Sequence, residues 1–542
     1  MKNTGLTEQE WDQIRNVLHT VPAIEKAVLF GSRAMGLARG NSDVDIMLYG
    51  DGLALGDVAH ARALLEETTL PYQFDMVLYN DENDNLRKHV EQYGRVLISK
   101  SNINIYNWTI MPLESAGVML IDCDHRTPKE QDFGFPYITI PQLKDGHIAY
   151  REARKISKED FIEWTKKLMP QKDDVVVVRR CNSGESAVIP DGLQCAIGQN
   201  LVVLRADGKH VYPPFLRWLV RGQEWWAEVR KFINVGAVFD SLRCRDIPKF
   251  RLPIPPKAYQ KQIVSILDNL DARIQLLRET NVTLEAIAQA LFKSWFVDFD
   301  PVHAKAEGRI PEGMDAETVA LFPSEFEESE LGMIPRGWRV APIGGYVTIV
   351  GGGTPSTKKP GYWTPEEYAW TSPKDLSGLS SPVLLSTEKK ISAVGLGVIS
   401  SGLLPAGTFL LSSRAPIGYL AITEIPLAIN QGYIAVTPES ELPPLFMYFW
   451  CKLNMETIKG HANGSTFMEI SKKSFRLIPA IIPERSVVDA CLPELHCLFE
   501  RIATNEKQAH TLTSLRDTLL PRLISGKLRL PEFVEPVSEA PE

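Results

Sequence analysis

The sequence predicts a multidomain α/β protein: a small α/β domain, then two repeated mixed α/β modules separated by a long antiparallel helical coiled-coil pair. Three observations predict this fold class. The 542 residues are too many for a single hydrophobic core. Two stretches, 259–296 and 491–523, carry apolar residues at alternating steps of four and three, which is typical of a coiled-coil seam. A unit of about 150 residues occurs twice, each time directly before one of these stretches.

The composition is that of a soluble globular protein, with 44% hydrophobic and 23% charged residues. The first residues lack the apolar core of a signal peptide, and no apolar run approaches the roughly 18 residues of a membrane span. The seven cysteines form no CxxC or Cys/His cluster. We therefore expect reduced thiols, no structural zinc and a cytoplasmic location.

The net charge of −8 is distributed unevenly along the chain. Residues 1–100 contain 10 basic and 15 acidic side chains, and residues 301–334 contain 2 and 8. Residues 101–250 contain 21 basic and 19 acidic side chains, and residues 335–480 contain 13 and 9. The two large modules therefore lean basic, which permits contact with phosphates without proving it.

Residues 1–100 are predicted to form the small α/β domain, with helices at 8–17, 58–67 and 85–92 and strands at 26–30 and 71–79. Gly31 and Ser32 follow the first strand, where small residues let backbone N–H groups approach a triphosphate. Asp43 and Asp45 are two apart on a predicted strand and so share a face, and Asp75 adds a third carboxylate. Such a cluster repels itself unless it holds cations, typically Mg²⁺. The alternative is three surface aspartates after a turn.

This segment resembles the minimal nucleotidyltransferases of the polymerase-β superfamily, in the spacing of Gly31-Ser32 and Asp43-x-Asp45 and in the later Asp75. The resemblance implies a nucleotide site at Gly31, Ser32 and Arg33. It also implies that Asp43, Asp45 and Asp75 are the catalytic, metal-binding residues for Mg²⁺ and ATP or another nucleoside triphosphate. Some members of that superfamily are antitoxins that adenylylate a partner toxin, so a small helical toxin is a candidate partner.

The repeated modules are predicted at 101–256 and 335–484, rich in short β runs broken by Gly and Pro. Several motifs recur at an offset between 227 and 234 residues. The matched positions are Thr127-Pro128 with Thr354-Pro355, Arg180 with Arg414, Gly184 with Gly418, Ile197 and Gln199 with Ile429 and Gln431, Pro213-Pro214 with Pro443-Pro444, and Gly236 and Phe239 with Gly464 and Phe467.

Long spacer helices are predicted at 257–300 and 485–527, joined to the second module by an acidic connector at 301–334 and followed by a disordered tail at 528–542. Each seam contains one Asn, Asn281 and Asn505, which we expect to fix the register of the pair. Arg516 is a poor member of the second seam, beside Leu515. The alternative for both stretches is a helix buried in an ordinary core.

Residues 103–530 resemble the specificity subunit of type I restriction–modification systems. The ordered set of motifs that carries this resemblance is LIDCDHRTPK, DVVVVRRCNSGESAVI, PPKAYQKQIVSILDNLDARI, LEAIAQALFKSWFVDFDP, GGGTPSTKKPGYW, LSSRAPIGYLAIT and LRDTLLPRLISGKL. The resemblance implies two target-recognition domains, each binding half of a bipartite, asymmetric sequence in double-stranded DNA, and helices that fix their separation. It also implies as partners methylating subunits, two in number, and translocase/nuclease subunits, which use S-adenosylmethionine, ATP and Mg²⁺.

Sequence-specific contacts to DNA use side chains that hydrogen-bond to base edges, and cationic side chains add contacts to phosphates. The candidate DNA-binding residues are Lys144, Arg179, Arg180, Lys358, Lys359, Lys374 and Arg414. For each of them the alternative is a solvated surface charge or an internal salt bridge.

Residues 101–542 contain no P-loop, no methyltransferase FxGxG with NPPF or NPPY, and no clear nuclease cluster of carboxylates with lysine. We therefore expect this part to be non-catalytic and to direct the methylation and restriction carried out by partner subunits. Two alternatives stay open: a nucleotidyltransferase whose C-terminal part only delivers it to DNA or to a protein, and a fused first domain without a function.

Overall fold

The computed structural model describes residues 4–36, 42–50, 53–79, 86, 89–90, 94–99, 108–235, 240–464, 468–528 and 530. The chain divides into two compact units, one made of residues 1–263 and 521–542 and the other of residues 264–520. Each unit contains one β-rich module and a part of each long helix. None of the described helices is long and apolar enough to cross a membrane.

The N-terminal domain of the first unit is a four-stranded mixed sheet with helices. Its elements are α1 (Glu8–Thr20), β1 (Lys26–Leu29), α2 (Gly31–Met35), β2 (Val44–Tyr49), α3 (Leu55–Glu66), β3 (Phe74–Leu78) and β4 (Arg95–Ser99). The strand order is β3-β2-β1-β4, with β2 and β3 parallel and the other pairs antiparallel. A capping box between Thr7 and Glu10 starts α1, whose Ile14 and Leu18 are buried in the core of this domain. The predicted helix at 85–92 lies mostly outside the described residues.

The first β-rich module follows in the same unit. Its elements are β5 (Thr109–Pro112), β6 (Val118–Asp122), β7 (Phe135–Ile138), β8 (Leu143–Lys144), β9 (His147–Ile148), β10 (Lys155–Ile156), α4 (Lys158–Thr165), β11 (Val175–Val178), β12 (Ser186–Val188), β13 (Ala196–Ile197), β14 (Leu201–Ala206), α5 (Leu216–Leu219), α6 (Gln223–Phe232), β15 (Asn234–Val235), β16 (Asp240–Ser241) and β17 (Arg251–Ile254). All four valines of β11 are buried, because this strand lies inside the antiparallel sheet β12-β11-β14-β6.

The first long helix, α7 (Lys257–Phe296), leads into the acidic connector. The connector is folded: it contains α8 (Asp300–Ala306), α9 (Ala316–Leu321) and the hairpin β18 (Phe326–Ser329) with β19 (Gly332–Pro335). Its Val302 and Phe322 are buried in the same hydrophobic core as Trp295 of α7 and Phe409 of the second module. The acidic composition of the connector therefore gives no indication of its apolar residues, which pack against the second module.

The second β-rich module and the second long helix complete the chain. Their elements are β20 (Arg339–Pro342), β21 (Ile349–Val350), β22 (Tyr368–Thr371), α10 (Pro373–Ser377), β23 (Val383–Leu384), β24 (Lys389–Ile391), α11 (Ala393–Leu396), β25 (Phe409–Ser413), β26 (Ile417–Thr423), β27 (Ala428–Ile429), β28 (Tyr433–Val436), α12 (Pro444–Leu453), α13 (Met455–Gly460), α14 (Lys472–Arg476), β29 (Pro479–Ile482) and α15 (Arg485–Ile524). The helix α12 is buried almost throughout, as its apolar sequence PLFMYFWCKL indicates.

The two modules have the same strand topology, as the internal repeat predicts. The sheet β12-β11-β14-β6 corresponds to four strands of the five-stranded sheet β21-β28-β25-β26-β23. The three-stranded sheet β10-β7-β13 corresponds to β24-β22-β27, and in both the central strand has one antiparallel and one parallel neighbour. The matched positions Gly236, Phe239 and Phe467 lie outside the described residues.

Two buried polar layers join α7 and α15 within the second unit. Asn505 Nδ2 donates to Asn281 Oδ1 at 2.9 Å, and Asn281 Nδ2 donates to the Ile502 carbonyl at 3.3 Å. The second layer is an ion pair of 2.8 Å between Arg516 and Asp271, whose side chains are 1% and 2% exposed. Arg516 is therefore a full member of the seam. The sequence interpretation of it as a poor member was wrong, because a buried carboxylate on α7 pairs with its guanidinium.

Candidate functional sites

Three aspartates of the N-terminal domain lie close together, beside the parallel strands β2 and β3. Asp45 on β2 and Asp75 on β3 are register partners. Asp43 precedes β2, so the prediction that both Asp43 and Asp45 lie on one strand was wrong; the strand begins at Val44. Burial raises the pKa of Asp45, and the neighbouring charges of Asp75 and Asp43 raise it further. The three carboxylates therefore form one electrostatic cluster, which a cation would relieve.

Gly31 lies directly against this cluster. It begins α2 with a φ of +69°, and a Cβ atom at this position would lie 2.1 Å from Asp45 Oδ2. Only glycine fits this close approach without displacing the carboxylate. Ser32, the next residue, is half-buried. Gly31 therefore borders the acidic cluster, and the nucleotide site at Gly31 and Ser32 stays a prediction.

Arg33 does not present its side chain to a ligand. It is 1% exposed, and its guanidinium donates to the main-chain carbonyls of Ser42, Asp43 and Thr4 at 2.6 to 3.2 Å. The guanidinium also lies over the Tyr72 ring, 4.4 Å from its centroid. These contacts replace the predicted nucleotide contact, and we propose that Arg33 positions the main chain at Asp43.

The candidate DNA-binding cations of the first module have different environments. Lys144 ends β8 and forms an ion pair of 2.5 Å with Glu152, which matches the salt-bridge alternative. Arg180 is exposed and follows Arg179, which follows β11. Arg179 is half-buried, its main-chain N–H donates to the Asn200 carbonyl, and its Nε has no hydrogen-bond partner among the described residues.

In the second module, Lys374 and Arg414 line one cavity of about 450 Å³. Lys374, on α10, forms an ion pair of 2.8 Å with Glu388, and Arg414, directly after β25, lies 3.6 Å from Glu469. Asn430 also lines this cavity. The cavity is thus a concavity of mixed polarity in which both cations remain partly exposed.

Lys358 and Lys359 lie in the exposed loop that follows Pro355. The Lys359 ammonium lies 5.2 Å from the centroid of the Tyr362 ring and 3.3 Å from its hydroxyl group. The two lysines are therefore available to anionic groups in solution, and we retain them as candidate DNA contacts.

Asp122, Cys123 and His125 form the one described group whose ligand atoms lie within 4.8 Å of one another. His125 is bonded to Asp122 at 3.0 Å, and the Cys123 thiol donates to the Gly198 carbonyl. Burial raises the pKa of Cys123 to about 11. Because metal binding requires the thiolate, this environment favours a structural role for Cys123.

Exposed threonine–glutamine pairs were not among the predicted site residues. Gln199 contacts Thr127 in the first module, and Gln431 contacts Thr354 in the second. The repeat matches all four positions, so the signal was present in the sequence. Because the four residues carry no charge, positive charge, which indicates contact with phosphates, does not identify them.

Family comparisons match most of the chain. The type I restriction modification DNA specificity domain matches residues 122–286 and 335–490, together more than half of the chain. The polymerase beta nucleotidyltransferase family matches residues 12–103. These ranges contain most of both β-rich modules and the acidic cluster, respectively.

Individual proteins show the same similarities. The specificity subunit of the type I restriction enzyme HindI of Haemophilus influenzae is 28% identical over 375 residues, which are 61% of this chain and 81% of that protein. A crystal structure of the S subunit of a type I restriction-modification system from M. genitalium is 15% identical with a TM-score of 0.46, covering 77% of this chain and 96% of that one. A toxin–antitoxin structure with AMP-PNP is 25% identical with a TM-score of 0.16, covering 16% of this chain and 73% of that one.

The family model matches two separate ranges of the chain, and each range corresponds to one of the duplicated modules. Most of each copy of the module falls within the family match, and both long helices begin inside it. The chain belongs to the family of type I restriction–modification DNA specificity subunits, and a nucleotidyltransferase-like domain precedes its specificity modules.

Proposed function

We propose that the two β-rich modules each recognise one half of a bipartite, asymmetric DNA target. The observation that carries this proposal is the single strand topology that occurs twice with different exposed loops. After β11 the chain continues as Arg179-Arg180-Cys181, and after β25 it continues as Arg414-Ala415-Pro416. A common scaffold with different side chains is suited to two different short sequences.

The partners follow from this role. Duplex DNA is the ligand of the modules, and the partner subunits carry out methylation and cleavage with S-adenosylmethionine, ATP and Mg²⁺. We propose two methylating subunits, because the modules and helices occur in two copies, together with translocase/nuclease subunits. Such a complex acts on chromosomal DNA in the cytoplasm.

We also propose that the paired helices α7 and α15 determine the gap between the two half-sites.

A methylome tests the specificity proposal. Cells that express the chain with its methylating partner should acquire adenine methylation at one bipartite, asymmetric sequence, and cells without the chain should lack it. The purified chain alone should neither methylate nor cut DNA. Methylation at a short continuous or palindromic site would contradict the proposal.

The second candidate function is nucleotidyl transfer by the N-terminal domain, favoured by the acidic cluster beside Gly31. Burial and the neighbouring charges of Asp75 and Asp43 raise the pKa of Asp45, and Mg²⁺ held by Asp43, Asp45 and Asp75 would compensate these charges. When bound, Mg²⁺ would neutralise the phosphates of ATP or another nucleoside triphosphate. Gly31 and Ser32 leave room for the phosphates, and Asp75 can accept the proton of the attacking hydroxyl group. We propose a protein acceptor, such as a small helical toxin.

Calorimetry with Mg-ATP tests this second function. The wild-type chain should bind Mg-ATP and Asp45→Ala should not, because the variant lacks the central carboxylate of the cluster. The methylated sequence should stay the same in both, since the DNA-binding modules begin after residue 100. Absence of binding by the wild-type chain would show that the domain does not use this nucleotide.

A further inference from the structure

The same exposed side-chain pair occurs at the same place in both modules. In the first module Gln199 Nε2 donates to Thr127 Oγ1 at 3.2 Å. In the second module the Thr354 hydroxyl donates to Gln431 Oε1 at 2.6 Å. All four side chains are exposed, so each pair is presented to solvent.

The threonine of each pair is held by equivalent contacts. The carbonyl of the preceding residue accepts a hydrogen bond from an indole N–H: Trp164 to Arg126 at 3.1 Å, and Trp370 to Gly353 at 3.1 Å. The following proline, Pro128 or Pro355, is buried in both modules. Different tryptophans thus fix the same loop position, which indicates that the position itself matters.

The glutamine of each pair is also held by equivalent elements. Gln199 lies two residues after β13, and Gln431 lies two residues after β27. Both short strands are parallel to the central strand of a three-stranded sheet, with Ile197 opposite Ile138 and Ile429 opposite Thr371. The main chain therefore places each glutamine directly after an edge strand of its three-stranded sheet.

A shared pair on two modules with different loops cannot distinguish two different bases. It must contact something that both half-sites have in common. The pair is neutral, which makes it a weak phosphate contact compared with Arg or Lys. A carboxamide, however, offers a donor and an acceptor side by side, which match N7 and the N6 amino group of adenine in the major groove. In both modules the contact with threonine leaves at least one amide hydrogen and at least one lone pair of the carboxamide available.

We propose that each threonine–glutamine pair recognises an adenine at one position of its own half-site, with the threonine orienting the glutamine. This inference rests on the proposed role of the modules in DNA recognition. Each glutamine is a specificity-determining residue for one half-site only.

Selection of random duplex DNA by the complete complex with its methylating subunit tests the proposal. Gln199→Ala should reduce the preference for adenine at one position of one half-site, and Gln431→Ala should do so in the other half-site. A bidentate contact discriminates by about 1–3 kcal/mol, which corresponds to a loss of roughly 5- to 140-fold. Each variant is the internal control for the half-site that it leaves unchanged.

Two further variants sharpen the test. Gln199→Glu should shift the preference at the same position from adenine towards cytosine, because a carboxylate only accepts hydrogen bonds. Gln171→Ala is the matched control, because Gln171 is also exposed but lies near the opposite end of β11. Gln171 precedes this strand, whereas Gln199 is adjacent to Asn200, whose carbonyl accepts a hydrogen bond from Arg179 at the end of the strand. The control should leave every position unchanged, and thermal melting should show that all variants fold.

Two outcomes would overturn the inference. A uniform loss of affinity with unchanged base preferences would assign the pairs to the DNA backbone, and unchanged affinity and preferences would make them structural. Failure of the proposed function is distinguishable from both. In that case the wild-type complex itself would select no bipartite sequence.

Discussion

Single residues of the N-terminal domain show what a motif can and cannot predict. The spacing of Gly31, Asp43, Asp45 and Asp75 places these residues near one another, because Gly31 follows β1, which pairs with β2, and β2 is parallel to β3. The same motif wrongly predicts a nucleotide contact for Arg33. The Arg33 side chain is buried because its guanidinium donates to the carbonyl groups of Thr4 and Ser42. These two residues are not part of the motif, so the motif could not predict the burial.

Replacement of Asp45 by Asn should stabilise the metal-free N-terminal domain at neutral pH. The native pKa of Asp45 is raised, so its contribution to stability is fully present below the ordinary pKa of 3.8 and is lost as the pH rises through the native value. Hydrogen exchange of β2 in the presence of a chelator should therefore show slower opening in Asp45→Asn at neutral pH and no difference in acid. The exposed Asp12→Asn is the control. Faster opening of Asp45→Asn at neutral pH would contradict mutual repulsion in the cluster.

At the scale of elements, the seam pattern predicts both long helices to within a few residues. The structure gives 40 residues to each of them, Lys257–Phe296 and Arg485–Ile524. The pattern cannot identify Asp271 as the partner of Arg516, because that pairing depends on the antiparallel register. It also misses the folded connector, which lies outside both seam stretches.

Removal of one partner of the ion pair between Arg516 and Asp271 should destabilise the protein strongly, whereas replacement of both partners by apolar residues should destabilise it much less. Arg516→Ala leaves the Asp271 carboxylate buried without this partner, so we expect a loss of about 3–5 kcal/mol in the free energy of unfolding. The double variant Arg516→Leu/Asp271→Leu should regain most of this loss, because no buried charge remains. Chemical denaturation measures both, with the exposed Arg501→Ala on the same helix as the control. Equal losses in the single and double variants would mean that the ion pair itself stabilises the helices.

The asparagine layer makes a similar prediction with a smaller magnitude. Asn281→Leu leaves the buried Asn505 amide without its partner, which should cost about 1–3 kcal/mol. The double variant Asn281→Leu/Asn505→Leu should be at least as stable as the wild type, since apolar pairs replace a partly satisfied polar layer. Thermal melting of the three proteins decides the matter. A single variant as stable as the wild type would show that the layer is not a coupled pair.

At the scale of the whole molecule, the duplicated topology and the family of the modules could be recognised from the sequence. The offset of the repeat and its ordered motifs carry that information. The sequence does not show which exposed residues contact DNA, because Lys144 and Lys374 prove to be paired with Glu152 and Glu388. Such pairs join residues on different elements, and only the folded chain brings them together.

Lengthening both helices tests whether they determine the gap between half-sites. One heptad inserted after Leu277 and another after Gln508 preserves the seam and leaves Glu285 in place for its contacts with Tyr448 and Lys452. Each helix gains about 10 Å at 1.5 Å per residue, so the gap should grow by roughly three base pairs. Three pairs also rotate the second half-site by close to a third of a turn, so methylation should be weaker.

Sequencing of the methylated sites gives the result. Both half-sequences should remain unchanged while the gap increases. An insertion in α7 alone breaks the pairing with α15 and serves as the control, with loss of methylation expected. An active double insertion with the original gap would show that these helices do not determine the spacing.

The two polar layers also determine how many registers α7 and α15 can adopt relative to one another. If α15 slid along α7 by one heptad, Asp271 would meet Ala509 or Leu523, and Asn281 would meet Leu498 or Leu512. A slip of one heptad in either direction therefore separates the buried Asp271 from Arg516, at a cost of about 3–5 kcal/mol. At about 1.4 kcal/mol per factor of ten, such states are populated below roughly one part in a hundred. The helix pair thus has one discrete register rather than several of nearly equal stability, and we propose that this single register limits the DNA target to a single gap length.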